Sequence, residues 1–250
     1  MLSENQLAIG DRSKFRWPRI LLAVFFLLFA AVCISPFDVM ISQAIEVGFL
    51  PGDLRKIFSL SEIFAHGYGV LLVLIGIWVL FPTKRIYIPR VALLAACSGL
   101  TAQLIKMFII RERPGDFVNQ WELATSTWQG FITPFKFNLQ TQLQSFPSGH
   151  TATAVGLAVG LTYVFPRGKY FFATLAVLAS LQRIVSYAHW TTDVLSGAAV
   201  ALVVSCLLMQ DYGLGRFCNR LESKAGHLPA DTASSGPRTS GQNDCPKTEI

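Results

Sequence analysis

Charge is scarce in this sequence: only 14% of its 250 residues are Asp, Glu, Lys or Arg, whereas 52% are hydrophobic. A soluble domain carries roughly 25% charged residues, so the deficit excludes a chain that dresses its whole surface for water. Cysteine pairing is absent too. Cys33, Cys97, Cys206, Cys218 and Cys245 stand at no metal-ligand spacing from one another or from a histidine, which argues against a zinc site and a disulfide framework. Those within apolar runs read as small apolar side chains. A basic patch is also missing. The net charge of +6 is scattered through short loops, which argues against a nucleic-acid partner. No internal repeat is found.

What the sequence has is apolar runs. Six are read, at 20–35, 64–81, 89–110, 148–165, 170–187 and 192–209, each near the length of about 20 residues that spans a bilayer. Small residues are scattered through them, as expected where transmembrane helices pack closely. The expected fold is therefore all-α: a polytopic membrane protein, a bundle of about six transmembrane helices. The division is a cytoplasmic N-terminal segment 1–19, a membrane domain 20–215 and a disordered cytoplasmic tail 216–250. Arg16 and Arg19 before a short apolar run also resemble a signal peptide, but Cys33-Ile34-Ser35-Pro36 is a poor cleavage site. The first run is read as a retained helix.

Loop charges set the sidedness. Arg12, Lys14, Arg16, Arg19, Lys84, Arg85, Arg90, Arg167, Lys169, Arg216, Arg220 and Lys224 fall on one face if six helices alternate. The positive-inside rule makes that face cytoplasmic. Loop 36–63 is mixed, with Arg55 and Lys56 opposed by Asp38, Glu46, Asp53 and Glu62, and belongs to the outer face. Segment 111–147 lies on the same face. Its Trp121, Trp128, Phe131, Phe135 and Phe137 suit an interfacial stretch over the site or an ordinary packed loop. The expected location is a bacterial inner (plasma) membrane, with the site facing periplasm or exterior.

Three clusters stand at the outer helix ends. In the first, Lys106 and Arg113 are seven residues apart, two helical turns, and share a face if the helix runs on to Pro114. Arg111 then falls on a different face, at the surface or among headgroups. A cation at mid-membrane costs about 2.5–3.5 kcal/mol, so Lys106 either lines a polar cavity or snorkels to the interface. In the second, Pro147 is placed to begin a helix, and the amides of Ser148 and Gly149 would meet an anion at the positive helix end. A plain helix cap is the alternative. In the third, Arg183 is followed by His189 and Asp193. Asp193 can fix the imidazole tautomer and leave the other nitrogen as a nucleophile; a structural hydrogen bond is the alternative. Taken together, three cations, an anion site and two histidines match phosphoryl transfer, where positioning and charge stabilisation dominate.

The spacings Lys-x6-Arg-Pro at 106–114, Pro-Ser-Gly-His at 147–150 and Arg-x5-His-x3-Asp at 183–193 resemble the three-part signature of the type 2 phosphatidic acid phosphatase family. The resemblance covers 106–193, and the six-helix plan extends it over nearly everything before the tail. One departure is Gln182, where the family usually has Ser before the motif's arginine. The resemblance implies a double displacement without a metal or cofactor. Lys106, Arg113 and Arg183 would bind the phosphoryl oxygens, helped by Ser148 and the Gly149 amide. His189, oriented by Asp193, would form a phosphohistidine, and His150 would protonate the leaving alkoxide and then activate water. No carboxylate pair suited to magnesium stands among these residues.

The implied substrate is a phosphate on a membrane lipid: phosphatidate, phosphatidylglycerol phosphate, a polyprenyl diphosphate or a lipid A phosphate. A vanadium haloperoxidase and a non-catalytic lipid-binding or transport protein share the scaffold. Apolar composition opposes the first, and the retained His150, His189 and Asp193 oppose the second. His66 is expected to be structural rather than site-lining, and Asp116 an ordinary surface residue.

Overall fold

The computed structural model describes residues 17–46, 51–124, 127–131, 143–211 and 213–226. It is mostly helical: α1 Trp17–Ile34, α2 Asp38–Glu46, α3 Gly52–Ser61, α4 Gly67–Leu80, α5 Ile88–Lys106, α6 Gly149–Val164, α7 Lys169–Val185, α8 Thr191–Met209 and α9 Gly213–Gly226. Between α5 and α6 a small antiparallel ribbon pairs β1 Ile109–Arg111 with β2 Trp128–Phe131.

Three stretches are long and apolar enough to cross a membrane: Pro18–Glu46 with mean hydropathy 2.7, Pro82–Lys106 and Thr191–Met209. A fourth arises if Gly52–Ala65 and Gly67–Leu80, bent by 70° at His66, count as one broken span. With 16 and 17 residues, α6 and α7 fall short of the about 20 of an ideal span. Lipid-facing side chains explain the apolar composition. Phe25, Phe26 and Phe29 of α1, Leu72 and Leu80 of α4, and Tyr170 and Phe171 of α7 are all exposed, which water would penalise and hydrocarbon would not.

Small residues let the inner helices approach closely. A methyl added to Gly156 of α6 would stand 2.3 Å from the Leu94 carbonyl oxygen of α5. One added to Gly197 of α8 would stand 2.4 Å from the carbonyl oxygen of Ser148. Helix α8 therefore lies directly against the turn that starts α6. The largest apolar core lies between α4, α5, α6 and α7, around Val91, Leu94, Leu157, Leu161 and Ala179.

The helices run alternately. Arg90 at the start of α5 and Tyr163 at the end of α6 meet α9 through Glu222 and Asn219, and Arg90 also donates to the Leu208 carbonyl at the end of α8. Lys106, Gly149, Arg183 and Thr192, at the opposite ends of α5, α6, α7 and α8, therefore share the other end of the bundle. Asp38, just past α1, reaches that end by accepting from Thr192.

Four expectations need correction. Helix α5 stops at Lys106 rather than continuing to Pro114, because the β-branched Ile109 and Ile110 favour strand and Pro114 disfavours helix at the residue before it. Pro147 does not open α6. Ser148 is its N-cap, with its Oγ accepting from the Thr151 amide at 3.3 Å. Arg90 is not a free loop charge but a buried ion-pair partner of Glu222. Finally, 216–226 belongs to the amphipathic helix α9, which Glu222 docks beneath the bundle; residues 227–250 of the expected tail lie outside the described residues.

Candidate active site

A cavity of about 300 Å³ opens at the shared helix ends. Six of the eight residues expected from sequence line it: Lys106, Arg113, Gly149, His150, Arg183 and His189. Lys106 ends α5, and Arg113 reaches the same cavity from the extended chain after β1. Their convergence therefore comes from a turn, not from two helical turns on one face. Gly149 and His150 open α6, where the first amides have no carbonyl one turn back within the helix. Such amides and the helix dipole favour an anion.

Ser148 and Asp193, the remaining two, stand behind the wall, fully buried. The Ser148 amide donates to the Asp193 carbonyl at 2.9 Å, and its hydroxyl accepts from Thr151. It holds the turn rather than offering its amide to a ligand, so the expectation of a free Ser148 amide is corrected.

The cavity is electropositive. Lys106 is only 5% exposed and, among the described residues, has no salt-bridge partner. Arg113 gives a long 3.5 Å bond to the Gln144 carbonyl, and its Nε is buried without a partner. Burial, and then the charge of Arg183, lower its pKa. Arg183 donates to Glu62 at 2.5 Å, while its Nε also lacks a partner. Buried cations short of acceptors favour a negatively charged group beside them.

His189 sits in the turn between α7 and α8, where the Arg183 carbonyl accepts from both the Ala188 and His189 amides at 3.1 Å. Tyr187, with φ of +54°, makes the reversal sharp. The His189 Nδ1 has no hydrogen-bond partner and stands 3.6 Å from Asp193 Oδ2, beyond hydrogen-bonding reach. Burial chiefly, with Lys106 and Arg113 pushing the same way against Asp193, lowers the His189 pKa to about 4. The imidazole is therefore neutral at neutral pH, as a nucleophile requires.

Several residues were read otherwise from sequence. Arg111, expected at the surface, is 1% exposed and binds Asp193 and Thr192 through Nη1 and Asp38 through Nη2 at 2.7 Å. The I-I-R-x-R-P run was the available signal: a strand ending before proline turns Arg111 inward. His66, expected to be structural, lines the cavity, its ring centroid 4.8 Å from that of His150. Glu62, read only as a loop charge, binds Arg183 and accepts from Gln182 at 3.0 Å. Gln182 thus serves a neighbour in its departure from the usual serine. Asp116 is exposed, as expected. Trp121 and Trp190 pack with Phe117 beneath the loop, and Trp121 donates to Glu46. Phe135 and Phe137 lie outside the described residues.

Glu62, His66 and His150 could together hold a metal ion, their donor atoms lying within 4.8 Å of one another. Glu62 is already engaged by Arg183 and Gln182, and the three neighbouring cations favour an anion over a dication.

Fold and site define a helical integral membrane protein with an electropositive pocket lined by three histidines, His66, His150 and His189. The chain belongs to the PAP2 superfamily, whose family model matches residues 87–215. It is similar to the lipid A 1-phosphatases of Rhizobium johnstonii, 31% identical over 110 residues (44% of this chain, 41% of that protein), and of Rhizobium etli, 32% identical over 102 residues (41% and 40%). The match thus spans about two fifths of those relatives' length. The fold is shared with the transmembrane PAP2 type phosphatidylglycerolphosphate phosphatase of Bacillus subtilis, at TM-score 0.53 and 18% identity over 84% of this chain and 98% of that one.

Proposed function

We propose that this protein is a metal-independent phosphatase that hydrolyses a phosphate monoester of a membrane lipid through a phosphohistidine. The junction of two cavities carries this reading. The electropositive pocket shares Gly67, Gly99 and Thr153 with an apolar groove of about 530 Å³ between α4 and α5, walled by Val70, Leu71, Leu74, Ala92 and Leu100. A lipid phosphate has the matching shape, an anion joined to a hydrocarbon chain.

In this mechanism Lys106, Arg113 and Arg183 hold the non-bridging oxygens, with the Gly149 amide, and take the role a metal has elsewhere. His189 Nε2 attacks phosphorus while Nδ1–H closes on Asp193; such bonds are often long before substrate binds. The bond from phosphorus to the ester oxygen breaks, and His150 gives that oxygen its proton. His150 then takes a proton from water, which attacks the phosphohistidine and frees phosphate and His189. Six alternating helices, with basic residues at the α9 end, support six crossings and an outward-facing site in an inner membrane.

Lipid A heads the substrate panel because the curated relatives act on it; phosphatidate, phosphatidylglycerol phosphate and a polyprenyl diphosphate complete it. The test is phosphate release from each lipid, with and without EDTA, in the wild type and in His189→Ala. Release that survives EDTA and vanishes in His189→Ala supports the proposal. Unimpaired release by His189→Ala, or loss in EDTA, contradicts it.

A further inference from the structure

We propose that Arg111, anchored by Asp38, is a positioning residue that grips one oxygen of the Asp193 carboxylate from behind and so aims the other at His189. The inference rests on the phosphohistidine reading above. Its guanidinium donates to Asp193 Oδ1. Its backbone carbonyl accepts from the Ser145 amide at 3.1 Å, and the Ser145 hydroxyl donates to Asp193 Oδ2 at 2.5 Å. The Arg111 side chain thus fixes one oxygen of the carboxylate, while Ser145, held by the Arg111 backbone, and the Trp190 amide at 3.0 Å fix the other.

Arg111 is itself over-determined. Asp38 on α2 accepts from its other terminal nitrogen at 2.7 Å and also takes the Thr192 hydroxyl at 2.5 Å and the Thr192 amide at 3.2 Å. The Trp128 ring centroid lies 4.1 Å from the guanidinium carbon. A lysine cannot span Asp38 and Asp193 at once, because it lacks the planar fork. Arg111 does not line the cavity, so it acts on the reaction through Asp193 alone, and the phosphate cradle stands apart from it.

The test is a double-variant cycle on the full chain in membranes, with dioctanoyl phosphatidate as the assayed probe and orthophosphate as inhibitor. Arg111→Gln is expected to lower kcat by about 10- to 100-fold, the range for groups that orient another. KM and orthophosphate inhibition should stay within about threefold, and Arg111→Lys should recover part of kcat. In an Asp193→Asn background Arg111→Gln should add less than about threefold, because its route to the reaction is already cut. If Arg111→Gln does not accumulate in membranes, Asp38→Asn is put through the same cycle with the same expectation. Multiplicative losses in the double variant, or orthophosphate affinity falling in step with kcat, overturn the inference. Neither result touches the phosphohistidine, which stands or falls with His189→Ala.

Discussion

Arg90 and Arg111 lie near opposite ends of the same helix, α5, which is about 28 Å long for its 19 residues. Both are about 1% exposed and both are bound to carboxylates. Around Arg90 every partner is satisfied within the cluster: Glu222 at 2.5 Å, Asn219 at 2.5 Å and the Leu208 carbonyl at 2.9 Å, with Tyr163 donating to Glu222 at 2.9 Å. No residue of that cluster lines the electropositive cavity. Around Arg111 the chain of bonds ends at Asp193, 3.6 Å from an imidazole nitrogen that has no partner. The same kind of buried ion pair therefore fastens a helix at one end of the bundle and backs the cavity wall at the other. Unsatisfied groups, the Arg111 Nε and the His189 Nδ1, rather than the ion pair itself, distinguish the Arg111 end.

The comparison is broken most severely at Asp193. Asp193→Asn should leave the protein folded and lower kcat by about 10⁴-fold, as when a buried carboxylate that orients a catalytic histidine is neutralised; turnover in membranes with a thermal melt checks both halves. Next comes Arg90→Gln, the inverse case. It should reduce stability by about 3–5 kcal/mol, because a buried carboxylate is left unpaired, while kcat per folded molecule stays within about twofold; a thermal melt beside an active-site titration reads it. Lys106→Ala removes one charge-assisted contact, about 1.5–3 kcal/mol, and should weaken orthophosphate inhibition while His189 still becomes phosphorylated. The smallest effect is on pH. His189 is held neutral down to about pH 4, so activity should fall on the acid side through about that pH, below the ordinary histidine value near 6.5. Lys106→Ala, by removing a positive charge that lowers the His189 pKa, should move that acid limb upward in a pH–rate profile.

Much of the cavity lining is legible in the sequence because the residues proposed for catalysis are spaced locally. His189 and Asp193 are four apart, and Ser148, Gly149 and His150 open one helix. The six apolar runs become α1, α4, α5, α6, α7 and α8 with ends shifted by a few residues. What escaped depends on contacts distant along the chain. Asp38 meets Arg111 across 73 residues, Glu62 meets Arg183 across 121, and Arg90 meets Glu222 across 132. Periodicity carries no information about such pairs. In sequence the acidic residues of loop 36–63 count only as loop charge, whereas in the structure Asp38, Glu46 and Glu62 each bind a group in or beneath the site. At Arg111 the difference is one of period. Helical spacing placed it outward, and the strand that forms turns it in.

The central claim is that His189 carries phosphate during turnover. Rapid quenching of the protein with lipid A labelled at its phosphate, or with labelled phosphatidate, tests it most directly. The account predicts an alkali-stable, acid-labile phosphoprotein in the wild type, absent in His189→Ala. A His189→Ala protein that still acquires that label, or a wild type that turns over without ever carrying it, contradicts the account.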